Sequence, residues 1–259
     1  TLPIVGLKDE VSFIQRKVGP SVSSVFVIGE TGTGKQLLAE EVHDTSKRSK
    51  KPFVVMDCSR IAADDHLLFE LSACFGKSQK ADASVQAFGG TLFLDNIDDL
   101  SLTAQAHISQ ILERRQFFPI GTTRPVGIDC RIVATTNKDI NSLIRQERFR
   151  GDLYQRLVLR VTPRPLRERR NEIPALARFF IQHYGDGRIL DITEPAMEHL
   201  MNYLWPGNVR ELQSVIIRSC AYAEGEYIDV TNLPEVVSKS KKGSIPRRAG
   251  AGSDISKQV

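Results

Sequence analysis

The sequence has no apolar run near the roughly 18 residues that a bilayer-crossing helix requires, which excludes a helical membrane span. Cysteine is scarce: Cys58, Cys74, Cys130 and Cys220 form no CxxC pair and no disulfide-scaffold spacing. That usage points to a reducing, cytoplasmic setting, with Cys58 and Cys130 reading as buried structural thiols in or beside apolar runs. The five histidines lack any ligand spacing such as HExxH, so a structural transition-metal site is not expected. No internal repeat is visible. The start, Thr1-Leu2-Pro3-Ile4-Val5-Gly6, has no basic region ahead of an apolar stretch and so does not read as a signal peptide. It also lacks an initiator Met, as an excised fragment would.

An excess of charge within the folded part is missing too. The 259 residues carry a net charge of +4, but from Ser238 onward there are six basic residues and one acid. The remainder is therefore slightly acidic, and composition gives no reason for the folded part itself to grip DNA. What is present is ordinary for a soluble globular protein: 41% hydrophobic and 25% charged residues.

Through residue 165 a short apolar run alternates with an amphipathic stretch. The runs are Val25–Ile28, Phe53–Met56, Thr91–Leu94, Ile132–Ala134 and Leu157–Leu159, each short and often β-branched, as strands covered on both faces should be. Between them lie helical patterns, such as Ala104, Ile108, Ile111 and Leu112 behind the cap residue Ser101. Alternation of this kind implies a parallel sheet flanked by helices. After Pro163 the strands are expected to stop. Leu176, Ala177, Phe180, Ile181 and Tyr184 form one helical face, Met197, Leu200, Met201 and Leu204 a second behind Pro195, and Val209, Leu212 and Ile216 begin a third. The expected organisation is an α/β part over residues 1–165, a helical subdomain over 166–237 and an unstructured basic linker over 238–259.

Gly29-Glu30-Thr31-Gly32-Thr33-Gly34-Lys35 matches GxxxxGK between an expected strand and an expected helix. Glycines let backbone N–H groups turn toward a phosphate, the helix N-terminus adds partial positive charge, and Lys35 would reach the β/γ-phosphates. Gln36 stands where the general pattern has Ser or Thr for magnesium, leaving Thr33 or a water to substitute. Asp95, leaving the strand Leu92-Phe93-Leu94, is placed to hold Mg²⁺ directly or through water.

With these motifs, Gly89–Asp95, Pro165-Leu166-Arg167-Glu168-Arg169 and Trp205-Pro206-Gly207-Asn208-Val209-Arg210-Glu211-Leu212 make the chain resemble the central domain of sigma-54-dependent enhancer-binding proteins, from about Ile4 to Pro234. The resemblance implies an AAA+ P-loop NTPase fold with a five-stranded parallel core and a small α-helical lid. It also implies ATP as ligand and a homo-oligomer, a dimer or a ring-shaped hexamer. It casts Asn137 as the sensor of the γ-phosphate, Arg210 as the second sensor, and Arg150 and Arg156 as arginines reaching a neighbouring subunit's nucleotide, where a cation stabilises charge on the transferring phosphate. RNA polymerase holoenzyme becomes the expected partner, and promoter DNA is expected through a helix-turn-helix module outside this chain.

Three departures bear on mechanism. The Gly-Ala-Phe-Thr-Gly-Ala loop that touches the sigma factor in the family is missing between Leu67 and Gly89, and the segment is several residues short. Similar members without that loop work with the housekeeping sigma factor, as activators or repressors. Asn96 follows Asp95 where the family has the glutamate that polarises the attacking water; an amide orients water but cannot accept its proton. Asp57 occupies the place of a family asparagine that restrains this glutamate. Either hydrolysis is crippled and nucleotide is a regulatory ligand, or Asp57 supplies the lost carboxylate from across the site. The first is favoured, because a general base must reach its water within hydrogen-bond distance. Some members bind cyclic di-guanylate in this domain, so a guanine dinucleotide is a further expected effector.

Overall fold

The computed structural model describes residues 5–61, 64–75, 89–119 and 122–239. In chain order these form α1 (Lys8–Phe13), β1 (Val25–Ile28), α2 (Lys35–Asp44), β2 (Phe53–Asp57), α3 (Asp64–Phe75), β3 (Thr91–Asp95), α4 (Leu102–Arg114), β4 (Gln116–Phe117), β5 (Val126–Gly127) and β6 (Arg131–Thr136). There follow α5 (Ile140–Arg145), α6 (Gly151–Arg156), β7 (Leu159–Val161), α7 (Ile173–Tyr184), β8 (Asp191–Ile192), α8 (Glu194–Asn202), α9 (Asn208–Tyr222), β9 (Tyr227–Ile228) and α10 (Glu235–Ser238). Contacts divide the chain into two units. One runs to Pro165 and includes Gly207–Arg210; the other comprises Leu166–Pro206 and the chain from Glu211.

The first unit is built on a five-stranded sheet ordered β2-β3-β6-β1-β7, with every neighbouring pair parallel. Alternate residues of the same strands feed two cores, because successive side chains point to opposite faces. Phe26, Leu92, Leu94, Ile132 and Ala134 pack with Leu67, Leu71, Ile108 and Leu153. Val25, Val27, Phe93 and Val133 pack with Ile14, Val18, Leu38 and Val42. Burying each such large aliphatic chain contributes about 1.5–3 kcal/mol. The two edge strands are exceptions to strands covered on both faces: β2 leaves Val55 51% exposed, and the run leading into β7 leaves Val158 60% exposed.

Ser101 caps α4 as its sequence position suggests, its hydroxyl accepting from the Ala104 amide at 3.0 Å. The last strand of the sheet begins two residues later than the apolar run Leu157–Leu159, since the Leu157 amide closes α6 on the Leu153 carbonyl at 3.2 Å. All four cysteines are buried free thiols. Burial, the largest effect, pushes Cys74 up to about 11 and Cys130 up to about 12.

Behind the sheet, Arg131 is 2% exposed at the start of β6. Its guanidinium donates to the carbonyls of Ser23 (3.0 Å), Gly19 (3.1 Å), Val42 (3.4 Å) and Val18 (2.7 Å). One side chain thus binds β6 to the turn after α1 and to the end of α2. Desolvation lowers its pKa to about 10.

In the second unit, strands do not stop after Pro163 as expected. β8 and β9 form a parallel pair, flanked by Leu190 N–H donating to Glu226 O at 2.7 Å and Thr193 N–H donating to Ile228 O at 2.9 Å. Two-residue strands carry no readable period, so the surrounding helical pattern hid them. Trp205 is fully buried, donating Nε1–H to Leu200 O at 2.8 Å and lying edge-on to Tyr203 at 4.9 Å. The Tyr203 hydroxyl in turn reaches Glu211 Oε1 at 3.0 Å.

Candidate nucleotide site

Parallel pairing aligns the C-terminal ends of β2, β3, β6 and β1, the usual ligand end of an open α/β sheet. From β1 the chain enters the loop at Gly29, whose N–H donates to Thr136 O at 3.1 Å. Gly32 and Gly34 adopt φ of +79° and +101°, which side-chain-bearing residues resist. A Cβ on Gly32 would lie 2.2 Å from Gly207 O, so the position is closed to any larger residue.

Thr33 is fully buried and its hydroxyl donates to Glu30 O at 2.8 Å. Lys35 folds back on the loop, donating from Nζ to Gly29 O at 2.9 Å and Glu30 O at 3.2 Å. Burial, the largest effect, lowers its pKa; Asp95 opposes this, Arg210 reinforces it and Asp98 opposes it more weakly. The ammonium is therefore held in the hollow of the loop and electrostatically coupled to Asp95 and Arg210. Gln36 is directed elsewhere: it is exposed and donates Nε2–H to Glu40 Oε1 at 3.0 Å along the surface of α2.

At the end of β3, Asp95 accepts a short hydrogen bond from the Thr135 hydroxyl, which itself accepts from the Asn96 amide at 3.1 Å. Asn96 turns the chain with φ +54° and ψ +52°. Asp57 stands directly opposite Asp95 in the ladder, and its Oδ1 accepts from both the amide (3.1 Å) and the hydroxyl (2.7 Å) of Ser59. This carboxylate caps the turn Cys58–Arg60. Beyond β6, Asn137 donates Nδ2–H to the hydroxyl of Thr31 at 2.9 Å. Lys138 places Nζ 2.8 Å from both Asp98 Oδ2 and Asp99 Oδ1, which fixes the turn after Asn96 to the end of β6.

The two arginines assigned to a neighbouring subunit hold carboxylates of their own chain. Arg150 pairs with Asp152 at 3.0 Å, and Arg156 with Glu113 at 3.1 Å while its Nε is buried without a partner among the described residues. The structure thus gathers Gly29–Lys35, Asp95, Asn96, Asn137 and Arg210, and leaves Gln36, Arg150 and Arg156 with other partners.

Sequence reasoning missed Thr135, Lys138 and Asn208 at the site. Asn208 is fully buried with φ +53°, and its amide donates to Glu30 Oε2 at 3.1 Å and Thr31 O at 3.0 Å. The available signal was a Gly-Asn pair ahead of a helix, a combination suited to left-handed backbone. Residues 76–88, part of the segment between Leu67 and Gly89 where the sigma-contact loop is expected to be missing, lie outside the described residues. Among the described residues no cluster of acids, histidines and cysteines could hold a metal by itself, and no helix is long and apolar enough to cross a membrane.

A parallel sheet whose strand β1 leads through a glycine loop onto a helix-opening lysine, with an aspartate at the end of β3 in the same sheet, defines the class: a P-loop α/β domain of the AAA+ type. The sigma-54 interaction domain family matches residues 7–162 and the AAA+ ATPase lid domain family matches residues 167–249, so the chain belongs to the sigma-54 activator family of transcriptional regulators. It is 40% identical over 245 residues to the Nif-specific regulatory protein of Azotobacter vinelandii, covering 89% of this chain and 46% of that protein. It is 36% identical over 240 residues to the transcriptional regulatory protein ZraR of Klebsiella oxytoca, covering 88% and 54%. The chain spans about half the length of the curated relatives it matches. Among solved structures, NtrX of Brucella abortus in complex with ADP superposes with a TM-score of 0.81 at 29% identity, covering 92% of this chain and 56% of that one. The same protein in complex with ATP gives 0.80 at 28% identity, covering 92% and 57%.

Proposed function

We propose that this chain is the ATP-binding regulatory domain of a bacterial transcription regulator that has lost most of its hydrolytic power and works without remodelling the sigma-54 polymerase. Residues 1–165 would bind the nucleotide, 166–237 form the lid, and 238–259 link toward a helix-turn-helix module that reaches promoter DNA. The loop Gly29–Lys35 fits a triphosphate: positive-φ glycines orient backbone amides, and the Lys35 ammonium is already held by the loop carbonyls of Gly29 and Glu30. Asp95 would hold Mg²⁺, Asn137 and Arg210 would read the γ-phosphate, and Arg150 with Arg156 would exchange their own-chain carboxylates for a neighbouring subunit's nucleotide. NtrX, solved in complex with ADP and with ATP, supports these nucleotides as ligands, and the family supports homo-oligomers acting on RNA polymerase holoenzyme.

The observation carrying the loss of hydrolysis is Asn96 just past the end of β3, with the alternative carboxylate considered from the sequence, Asp57, accepting from Ser59. An amide cannot take a proton from water, and a general base contributes about 10²–10⁴-fold to such a step. A second reading, a working ATPase that drives promoter opening, rests on the ladder placing Asp57 opposite Asp95.

The deciding experiment measures ATP affinity and phosphate release on one preparation concentrated enough to assemble, with cyclic di-guanylate titrated in parallel. Tight ATP binding without release above background supports the regulatory reading. Turnover that Asp57→Asn abolishes supports the second.

A further inference from the structure

Thr31 makes two hydrogen bonds that no phosphate-binding role requires. Its hydroxyl accepts from Asn137, one residue beyond the end of β6, at 2.9 Å. Its carbonyl accepts from Asn208, the first residue of α9, at 3.0 Å. The same stretch of α9 is bonded to the loop again through Val209 N–H to Gly32 O at 3.0 Å. It is also in close packing there, since Gly32 has no room for a Cβ beside Gly207 O. Left-handed backbone at position 208 would be met most easily by glycine. Asparagine there brings an amide whose hydrogens go to Glu30 Oε2 and Thr31 O, both in the loop. The side chain is thus suited to reading the loop's shape, beyond permitting a turn.

We propose that Thr31 is a positioning residue that couples the asparagine at the end of β6 to the start of α9, through its hydroxyl to Asn137 and its carbonyl to Asn208. The proposal rests on the reading above that the loop holds a nucleotide. A phosphate oxygen offered to Asn137 competes with the Thr31 hydroxyl for the same amide. Whichever wins alters the hold on Thr31, and with it the hold of Asn208 and Val209 on the loop. α9 continues from these residues into the second unit. Thr31 therefore governs how strongly the domain distinguishes ATP from ADP, more than how tightly it binds either.

The test compares ATP and ADP affinities by fluorescence titration in the wild type, Thr31→Val and Thr31→Ser. Valine keeps the shape and removes the acceptor; serine keeps the acceptor. The expected result is an ATP-to-ADP affinity ratio that grows about five-fold in Thr31→Val, where the γ-phosphate no longer has to displace one neutral hydrogen bond at Asn137, and is retained in Thr31→Ser. Amide exchange at Val209, measured without nucleotide, is expected to be about five-fold faster in Asn208→Gly, which keeps the backbone freedom and loses the side-chain bonds. A ratio in Thr31→Val equal to the wild type, or unchanged Val209 exchange in Asn208→Gly, overturns the coupling while leaving nucleotide binding intact. A wild type that binds neither nucleotide overturns the underlying reading as well.

Discussion

Single side chains decide the chemistry of this domain. Asn96 carries a side chain at a left-handed turn, where asparagine is tolerated better than glutamate. Asn96→Glu is expected to raise phosphate release by roughly 100-fold or more, while lowering thermal stability slightly through backbone strain of about 1 kcal/mol. A phosphate-release assay beside a melting curve reads both; unchanged release would mean that the missing carboxylate is not what limits turnover. His43 gives a pH signature. It is 5% exposed with Nδ1 2.9 Å from the Thr91 hydroxyl, and burial lowers its pKa from the ordinary 6.5, against a weaker opposing pull from Asp44. The unfolded chain therefore binds the proton first as pH falls below 6.5, so stability is level above that value and declines beneath it. The urea midpoint should fall more between pH 7.5 and 5.5 in the wild type than in His43→Gln.

At the level of elements, legibility followed period and length. The helix behind Ser101 and the runs that became β1, β2, β3 and β6 were visible because several residues share one repeat. β8 and β9 were invisible because their two-residue pairing is fixed by the chain's return from α9, a non-local fact. The start of β7 was misplaced because Leu157 is apolar for a different reason: it is buried as the cap of α6. The glycine loop and Asp95 could be proposed from motif spacing, and Asn137 from the family resemblance. The bonds that join them could not, since Thr135 and Asn208 are polar residues whose burial only the fold reveals. Arg131 is the same kind of residue, a charge whose burial only the fold reveals. Arg131→Met should destabilise the first unit by roughly 3 kcal/mol or more, because several carbonyls lose their donor at once. Urea unfolding followed by circular dichroism measures this; a change within 0.5 kcal/mol, the range of a neutral surface substitution, would deny the residue that role.

For the whole molecule, charge and chain connectivity set the behaviour. The basic residues concentrated after Ser238 carry more than the chain's net +4. Ending the chain at Lys239 should leave ATP affinity unchanged and lower the salt needed for elution from heparin, since polyanion binding follows the number of neutralised contacts. Equal elution of the two forms would place the polyanion-binding surface in the folded part instead. Connectivity has a different consequence. Gly207–Arg210 belongs with the first unit although more than forty residues of the second intervene after Pro165. Recombination that joined two parents at Pro165 would give a hybrid whose Gly32 meets a foreign Gly207 and whose Glu30 meets a foreign Asn208. Successful chimeras of this family should therefore inherit the glycine loop and the opening of α9 from the same parent, and the two segments should be exchanged in evolution as one heritable module.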